Sequence, residues 1–124
     1  MVRGILLVGA GGFVGAVLRY LVGGFVLHHT VNWKFPLATF VVNGVGCLVA
    51  GILMALAVKH DSFSPELRLL LFTGLLGGFT TFSAFGVETV YLIQRHELLW
   101  AGLNVAGTVS VGIGVLWLGV TLIR

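Results

Sequence analysis

The run Gly77-Gly78-Phe79-Thr80-Thr81-Phe82-Ser83-Ala84-Phe85 gathers hydroxyls, rings and two adjacent glycines inside a segment otherwise apolar enough to cross a membrane. Glycine costs roughly 1 kcal/mol relative to alanine within a helix, so a helix break is expected here. Backbone freed at bilayer depth must find partners in protein or line a polar cavity. A break flanked by hydroxyls and phenylalanines is therefore expected to hold something polar, as a transport site does. Thr80, Thr81 and Ser83 offer hydroxyl donors, although each could instead bond back to a carbonyl of its own helix. Phe82 and Phe85 share a helical face. Their spacing suits ordinary packing, and it equally suits a small hard anion meeting the electropositive ring edges.

Other polar residues lie within apolar surroundings. Arg19 follows Gly-Gly-Phe-Val-Gly-Ala-Val-Leu; an intramembrane arginine is functional by default, here as an anion-attracting or structural group near a vestibule, unless it snorkels to the headgroups. Asn43, in Val-Val-Asn-Gly-Val-Gly, can tie two helices together or offer its two amide donors to a dehydrated anion. Glu88 is the only acid deep in a span, and it could pair with Arg19, bond to hydroxyls or be solvated near the interface. Asn104 and Thr108 share a face of the last apolar stretch, with Ser110 off that line. These three could satisfy one another or line a pore. Reaction chemistry is not indicated: no nucleophile–base–acid set appears, and His28, His29, His60 and His96 fall in expected connections without a metal-ligand cluster. Glycine-rich phosphate cradles are also lacking, since these glycines have no neighbouring lysine or strand context.

The elements that must position these residues are apolar helices. Of 124 residues 58% are hydrophobic and 9% charged, against roughly 25% charged in soluble domains. The chain is read as one all-α membrane domain spanning 1–124. Four stretches, approximately Gly4–Leu27, Leu37–Val58, Leu67–Ile93 and Leu98–Ile123, each reach the roughly 20 residues that a spanning helix needs. The first span is expected to be retained, since the apolar run after Arg3 is too long for a cleavable signal and lacks a convincing small-x-small exit. His28 to Pro36 is expected to be an interfacial loop with Trp33 and Lys34 at headgroup level, and Ser64-Pro65-Glu66 reads as a helix start. Cys47 stands alone, which excludes an intrachain disulfide. The net charge of +3 is spread over ends and loops, which fits lipid headgroups and gives no case for nucleic acid. An even number of spans puts both termini on one side, with Arg3, Lys59, Arg68 and Arg124 against Lys34, Arg95 and, by its depth, Arg19. That bias is too weak to fix orientation. Small-xxx-small pairs such as Gly11/Gly15, Gly46/Ala50, Gly74/Gly78 and Gly102/Ala106 serve packing within the chain, and their presence on every helix favours a homo-oligomer, a dimer being the simplest.

Three motifs, Gly11-Gly12-Phe13-Val14-Gly15-Ala16-Val17-Leu18-Arg19-Tyr20, Asn43-Gly44-Val45-Gly46-Cys47 and Gly74 to Phe85, in this order, make the chain resemble the small bacterial fluoride channels called Fluc or CrcB. The resemblance covers essentially the whole chain. It implies an antiparallel, dual-topology homodimer with two fluoride pores, each drawing on both subunits. Phe82 and Phe85 would form the phenylalanine box, with Asn43 donating to the ion and Thr81 and Ser83 beside it. Arg19 would lie at the aqueous approach. Glu88, with Thr108 and Ser110, would form a second polar track. The resemblance also implies a structural sodium ion on the dimer axis, held by backbone carbonyls of Gly77 and Thr80 from both chains; four carbonyl oxygens suit a hard cation. One departure is visible on the fourth helix, where a run of hydroxyls is expected on one face and Gly112 stands one turn after Thr108.

The expected function is passive export of fluoride from the cytoplasm through a multi-pass protein of the bacterial inner membrane, without enzymatic activity. A small four-helix multidrug exporter is the alternative; that class carries an acid in its first helix, where this chain has Arg19 and no acid. A non-transporting assembly subunit would leave the hydroxyl–phenylalanine run unexplained.

Overall fold

The computed structural model describes residues 1–61 and 63–123; Arg124, counted above among the terminal charges, lies outside them. Among the described residues the chain is all helical, and four of its segments are long and apolar enough to cross a membrane. The first is α1 (Val2–His29) and the second α2 (Leu37–His60). The third span, Pro65–Gln94, is composite: α3 (Pro65–Arg68), a π-type segment Leu69–Leu76, α4 (Gly77–Phe79) and α5 (Phe82–Gln94). The fourth is α6 (Leu98–Ile123).

Local chemistry explains where these helices start. Both prolines stand at helix starts, Pro36 before α2 and Pro65 in the first turn of α3, where a missing N–H costs nothing. Ser64 caps α3 by accepting from the Leu67 amide at 3.1 Å, as its position before Pro65 and Glu66 predicts. The first helix runs further than expected. His28 and His29, assigned above to the loop, form its last turn, and His60 is the last residue of α2. The extra α1 turn is sustained by side chains that satisfy its final carbonyls: His29 Nδ1 donates to Phe25 O at 2.9 Å and Thr30 Oγ1 to Val26 O at 2.8 Å.

Two backbone-to-backbone seams organise the four spans. Gly15 on α1 faces the Leu75 carbonyl so closely that a β-carbon there would overlap it, and one on Gly78 would lie 2.6 Å from Gly12 O. The second seam joins α2 to α6, where a β-carbon on Gly51 would overlap the Leu116 carbonyl. Lys59 Nζ donates to Ile123 O at 3.2 Å, so α2 and α6 end together. At the opposite end Lys34 Nζ lies 3.0 Å from Glu97 Oε1, joining the two connections there. Phe35 packs edge-on against Phe40 and Trp100 beside this pair. The interior is thin, and as little as 11% of a span's most apolar window is buried. Large apolar side chains such as Phe13, Phe25 and Trp117 point outward, as they do where lipid or another apolar surface surrounds the protein.

Candidate functional site

Between α4 and α5, Thr80 (φ −85°, ψ 157°) and Thr81 (φ −148°, ψ 118°) are extended. This redirects the amides that follow. In a continuous helix the Thr81 and Ala84 amides would donate to the carbonyls of Gly77 and Thr80. Here Thr81 N donates to Asn43 Oδ1 at 2.8 Å, and Ala84 N to Thr81 Oγ1 at 3.1 Å. Asn43 also donates from Nδ2 to Thr81 O at 2.9 Å, so one amide side chain engages both backbone groups of Thr81. Arg19 Nε donates to Gly78 O at 3.1 Å. The Thr80 hydroxyl is used locally, donating to Leu76 O at 2.8 Å.

The helical donors of the Gly77 and Thr80 carbonyls are thus diverted to side-chain oxygens, while the carbonyls of Gly78 and Thr81 are engaged by Arg19 and Asn43. Backbone oxygens without their usual donors fit a hard cation such as sodium. No group of three or more His, Cys, Asp or Glu among the described residues could hold a metal ion instead.

The rings of Phe82 and Phe85 lie 5.6 Å apart between centroids, inclined at 51°. Phe82 is 84% exposed on the single chain, so one chain alone does not enclose a path past it. Thr81 Oγ1 and Ser83 Oγ are 3.3 Å apart at the start of the same helix. A hydroxyl pair, a side-chain amide and ring edges therefore meet within one turn, a donor-rich setting for a small anion.

Arg19, Thr39, Val42, Thr81, Ala84 and Glu88 share a cavity of about 310 Å³. A larger one, about 510 Å³, opens among the α1–α2 and α5–α6 connections and is lined by Lys34, Tyr91, Arg95 and Glu97. Thr39 and Glu88 belong to both linings, so their contact stands between the connections and the Thr80–Thr81 junction. Thr39 Oγ1 donates to Glu88 Oε1, while Glu88 Oε2 is buried without a hydrogen-bond partner among the described residues. Glu88 thus bonds a hydroxyl, and no Arg19–Glu88 ion pair forms among the described residues. The Arg95 guanidinium lies over the Tyr91 ring at 4.5 Å, placing a cation at the larger cavity's rim.

The fourth-helix residues go elsewhere. Thr108 and Ser110 line neither cavity. Thr108 Oγ1 donates to Asn104 Oδ1 at 3.3 Å, Asn104 Nδ2 donates to Thr89 Oγ1 at 2.9 Å, and Ser110 is exposed on the helix surface. Sequence reasoning did not single out Thr39 or Thr89. Thr89 lies one residue after Glu88 and one helical turn after Phe85, which was its available signal. Thr39 sits one turn before Asn43, the same face of α2, and that was its signal.

The model of the family described as CrcB-like protein, Camphor Resistance (CrcB), matches residues 6–120. The chain is similar to the fluoride-specific ion channel FluC of Methylobacillus flagellatus, 46% identical over 97% of this chain and 94% of the relative. It is similar to FluC of Oceanobacillus iheyensis at 44% identity, covering 97% and 91%. Similarity to FluC 1 of Methanosarcina acetivorans is 46%, covering 93% and 86%.

Proposed function

The chain belongs to the CrcB family, and from that membership we propose that it is a fluoride-selective passive channel, not an enzyme. It is a multi-pass protein of the bacterial inner membrane that lets fluoride leave the cytoplasm down its gradient. The observation that carries this reading is that Asn43 holds Thr81 at the non-helical junction directly before the helical turn bearing the Phe82–Phe85 ring pair.

Fluoride holds its hydration strongly, so a selective path must replace water by fixed donors. Asn43 keeps its second Nδ2 hydrogen after bonding Thr81 O. The Arg19 guanidinium, fixed by Gly78 O through Nε, retains its other N–H donors and supplies positive charge where the dielectric is low. Phenyl edges offer weak positive potential without a deep charge trap, which allows an ion both to enter and to leave. Thr81 and Ser83 carry the adjoining hydroxyls, and Glu88 lies beyond them with Thr39. Chloride is too large for donors set at fluoride spacing.

A second copy in antiparallel orientation completes the wall that the exposed Phe82 leaves open. The near balance of cationic residues at the two ends supports insertion in both orientations. Two copies bring the diverted carbonyls of Gly77 and Thr80 together across the axis, where they would hold a structural sodium ion. The dipoles of those carbonyls would balance the ion's charge, and no permeation step above runs through it. Thr108 and Ser110 belong to a secondary polar path only if assembly turns their face toward it.

Purified protein reconstituted in liposomes loaded with fluoride is expected to release it on addition of a potassium ionophore, as read by a fluoride electrode. Release of chloride at a comparable rate, or no release of fluoride, overturns the assignment.

A further inference from the structure

We propose that Asn104 is a positioning residue for Phe85, acting from α6 through the hydroxyl of Thr89. This inference deepens the channel reading and rests on Phe85 facing the ion.

Asn104 is 1% exposed in the single chain. Any partner or lipid can only cover it further, so its amide is not available to a passing ion. Its hydrogen bonds form a directed series. Thr108 Oγ1 donates to Asn104 Oδ1 at 3.3 Å, Asn104 Nδ2 to Thr89 Oγ1 at 2.9 Å, and Thr89 Oγ1 to Phe85 O at 2.8 Å. Because Asn104 engages a lone pair of the Thr89 oxygen, the one hydroxyl hydrogen of Thr89 must turn to the Phe85 carbonyl. A threonine bonded to its own i−4 carbonyl bends a helix slightly, and Asn104 fixes that bend against a second helix.

The second helix is a rigid reference. Close backbone approach at Gly51 and Leu116 holds α6 against α2, and α2 carries Asn43, which holds Thr81. The turn bearing both rings is therefore bracketed. Thr81 ties it to α2 before Phe82, and Thr89 ties it to α6 after Phe85. Rotation of α5 between these ties would change the inclination of the two rings. In this chain the buried Asn104 of the fourth helix orients the phenylalanine that meets the ion and does not itself contact the ion.

The test uses full-length protein in liposomes, with selectively 13C-labelled phenylalanine rings followed by NMR and the Phe85 signal assigned through Phe85→Leu. Asn104→Leu keeps the volume and removes the donor; Thr89→Val removes the hydroxyl; Thr89→Ser keeps it. Loss of one buried hydrogen bond in this series is expected to lower fluoride flux about tenfold in Asn104→Leu and in Thr89→Val. The Phe85 signal shifts in both while oligomeric size stays the same. The double variant is no slower than the slower single variant, and Thr89→Ser behaves as the parent protein. An unmoved Phe85 signal in Thr89→Val, or equal damage from Thr89→Ser and Thr89→Val, overturns the proposal. The threonine pair decides even where Asn104→Leu does not assemble. If the parent protein releases no fluoride the channel reading fails, and the ring signal alone still decides whether Asn104 positions Phe85.

Discussion

Asn43 pairs with Thr81 through both backbone groups, giving a hydrogen bond to its carbonyl at 2.9 Å and receiving one from its amide at 2.8 Å. The side-chain amide thereby takes the place of a neighbouring strand for a single extended residue. Asparagine is the fitting residue, because it carries a donor and an acceptor in one plane.

Replacing Asn43 with aspartate sets a carboxylate oxygen against the Thr81 carbonyl and removes the donor. Fluoride release is expected to fall to the empty-liposome rate, with stability reduced by about 2 kcal/mol through the unsatisfied groups. Efflux recording beside thermal melting in detergent checks both parts, and Asn43→Asp with parental efflux would contradict the role assigned to this pair.

The phenylalanines offer a sharper separation of packing from conduction. Phe82 is largely exposed on the chain, so Phe82→Ile removes little internal packing, yet it takes away a ring edge. Fluoride flux is expected to be largely abolished in Phe82→Ile and in Phe85→Ile while size-exclusion profiles stay parental. Undiminished flux in both variants removes the ring pair from the pore.

Arg19 joins charge and structure in one side chain. Arg19→Gln loses both the cation and the Nε bond to Gly78 O, whereas Arg19→Lys keeps the charge as a point source without the planar fork. The expected order of flux is parent, then lysine, then glutamine. Added salt should narrow the differences only modestly, because part-buried charges are screened less than exposed ones. Equal flux in all three proteins refutes a role for this cation in drawing the anion in.

Sodium dependence can be read without any transport assay. If the carbonyls of Gly77 and Thr80 hold sodium, the melting temperature rises with sodium concentration. The stabilisation reaches about 2.7 kcal/mol at a hundredfold excess over the dissociation constant. Replacing sodium with N-methylglucamine is expected to lower the melting point, and identical melting in both buffers argues the ion away.

The glycine seams give a stability prediction independent of the ion. Gly15→Ala and Gly51→Ala force a β-carbon into a neighbouring backbone carbonyl, and overpacking of this kind typically costs about 1–3 kcal/mol. A β-carbon on Gly114 meets nothing within 4 Å in the chain, so Gly114→Ala should instead gain about 0.5–1 kcal/mol from helix propensity. Denaturation of the three variants in the same detergent gives the comparison.

The sequence by itself determined the number of spans, because apolar length against bilayer thickness is a local property that no tertiary contact alters. It also determined the Ser64–Pro65 helix start, since a cap and its amide lie within one turn. The family was legible from motifs whose order along the chain is specific. Local pattern could not fix where α1 ends. The added turn depends on His29 and Thr30 satisfying carbonyls of their own helix, and these residues suit a loop equally well. Nor could it choose a partner for each polar residue. Arg19 was open to lipid headgroups or Glu88, yet it meets Gly78, and Glu88 meets Thr39. Asn104 and Thr108 were open to lining a pore, yet they bond to each other and, through Asn104, to Thr89. Those choices were made when glycines let the α1 and α2 backbones approach the third and fourth spans. At that spacing each buried donor takes the nearest acceptor, and which acceptor is nearest is a property of packed helices, not of spacing along one of them.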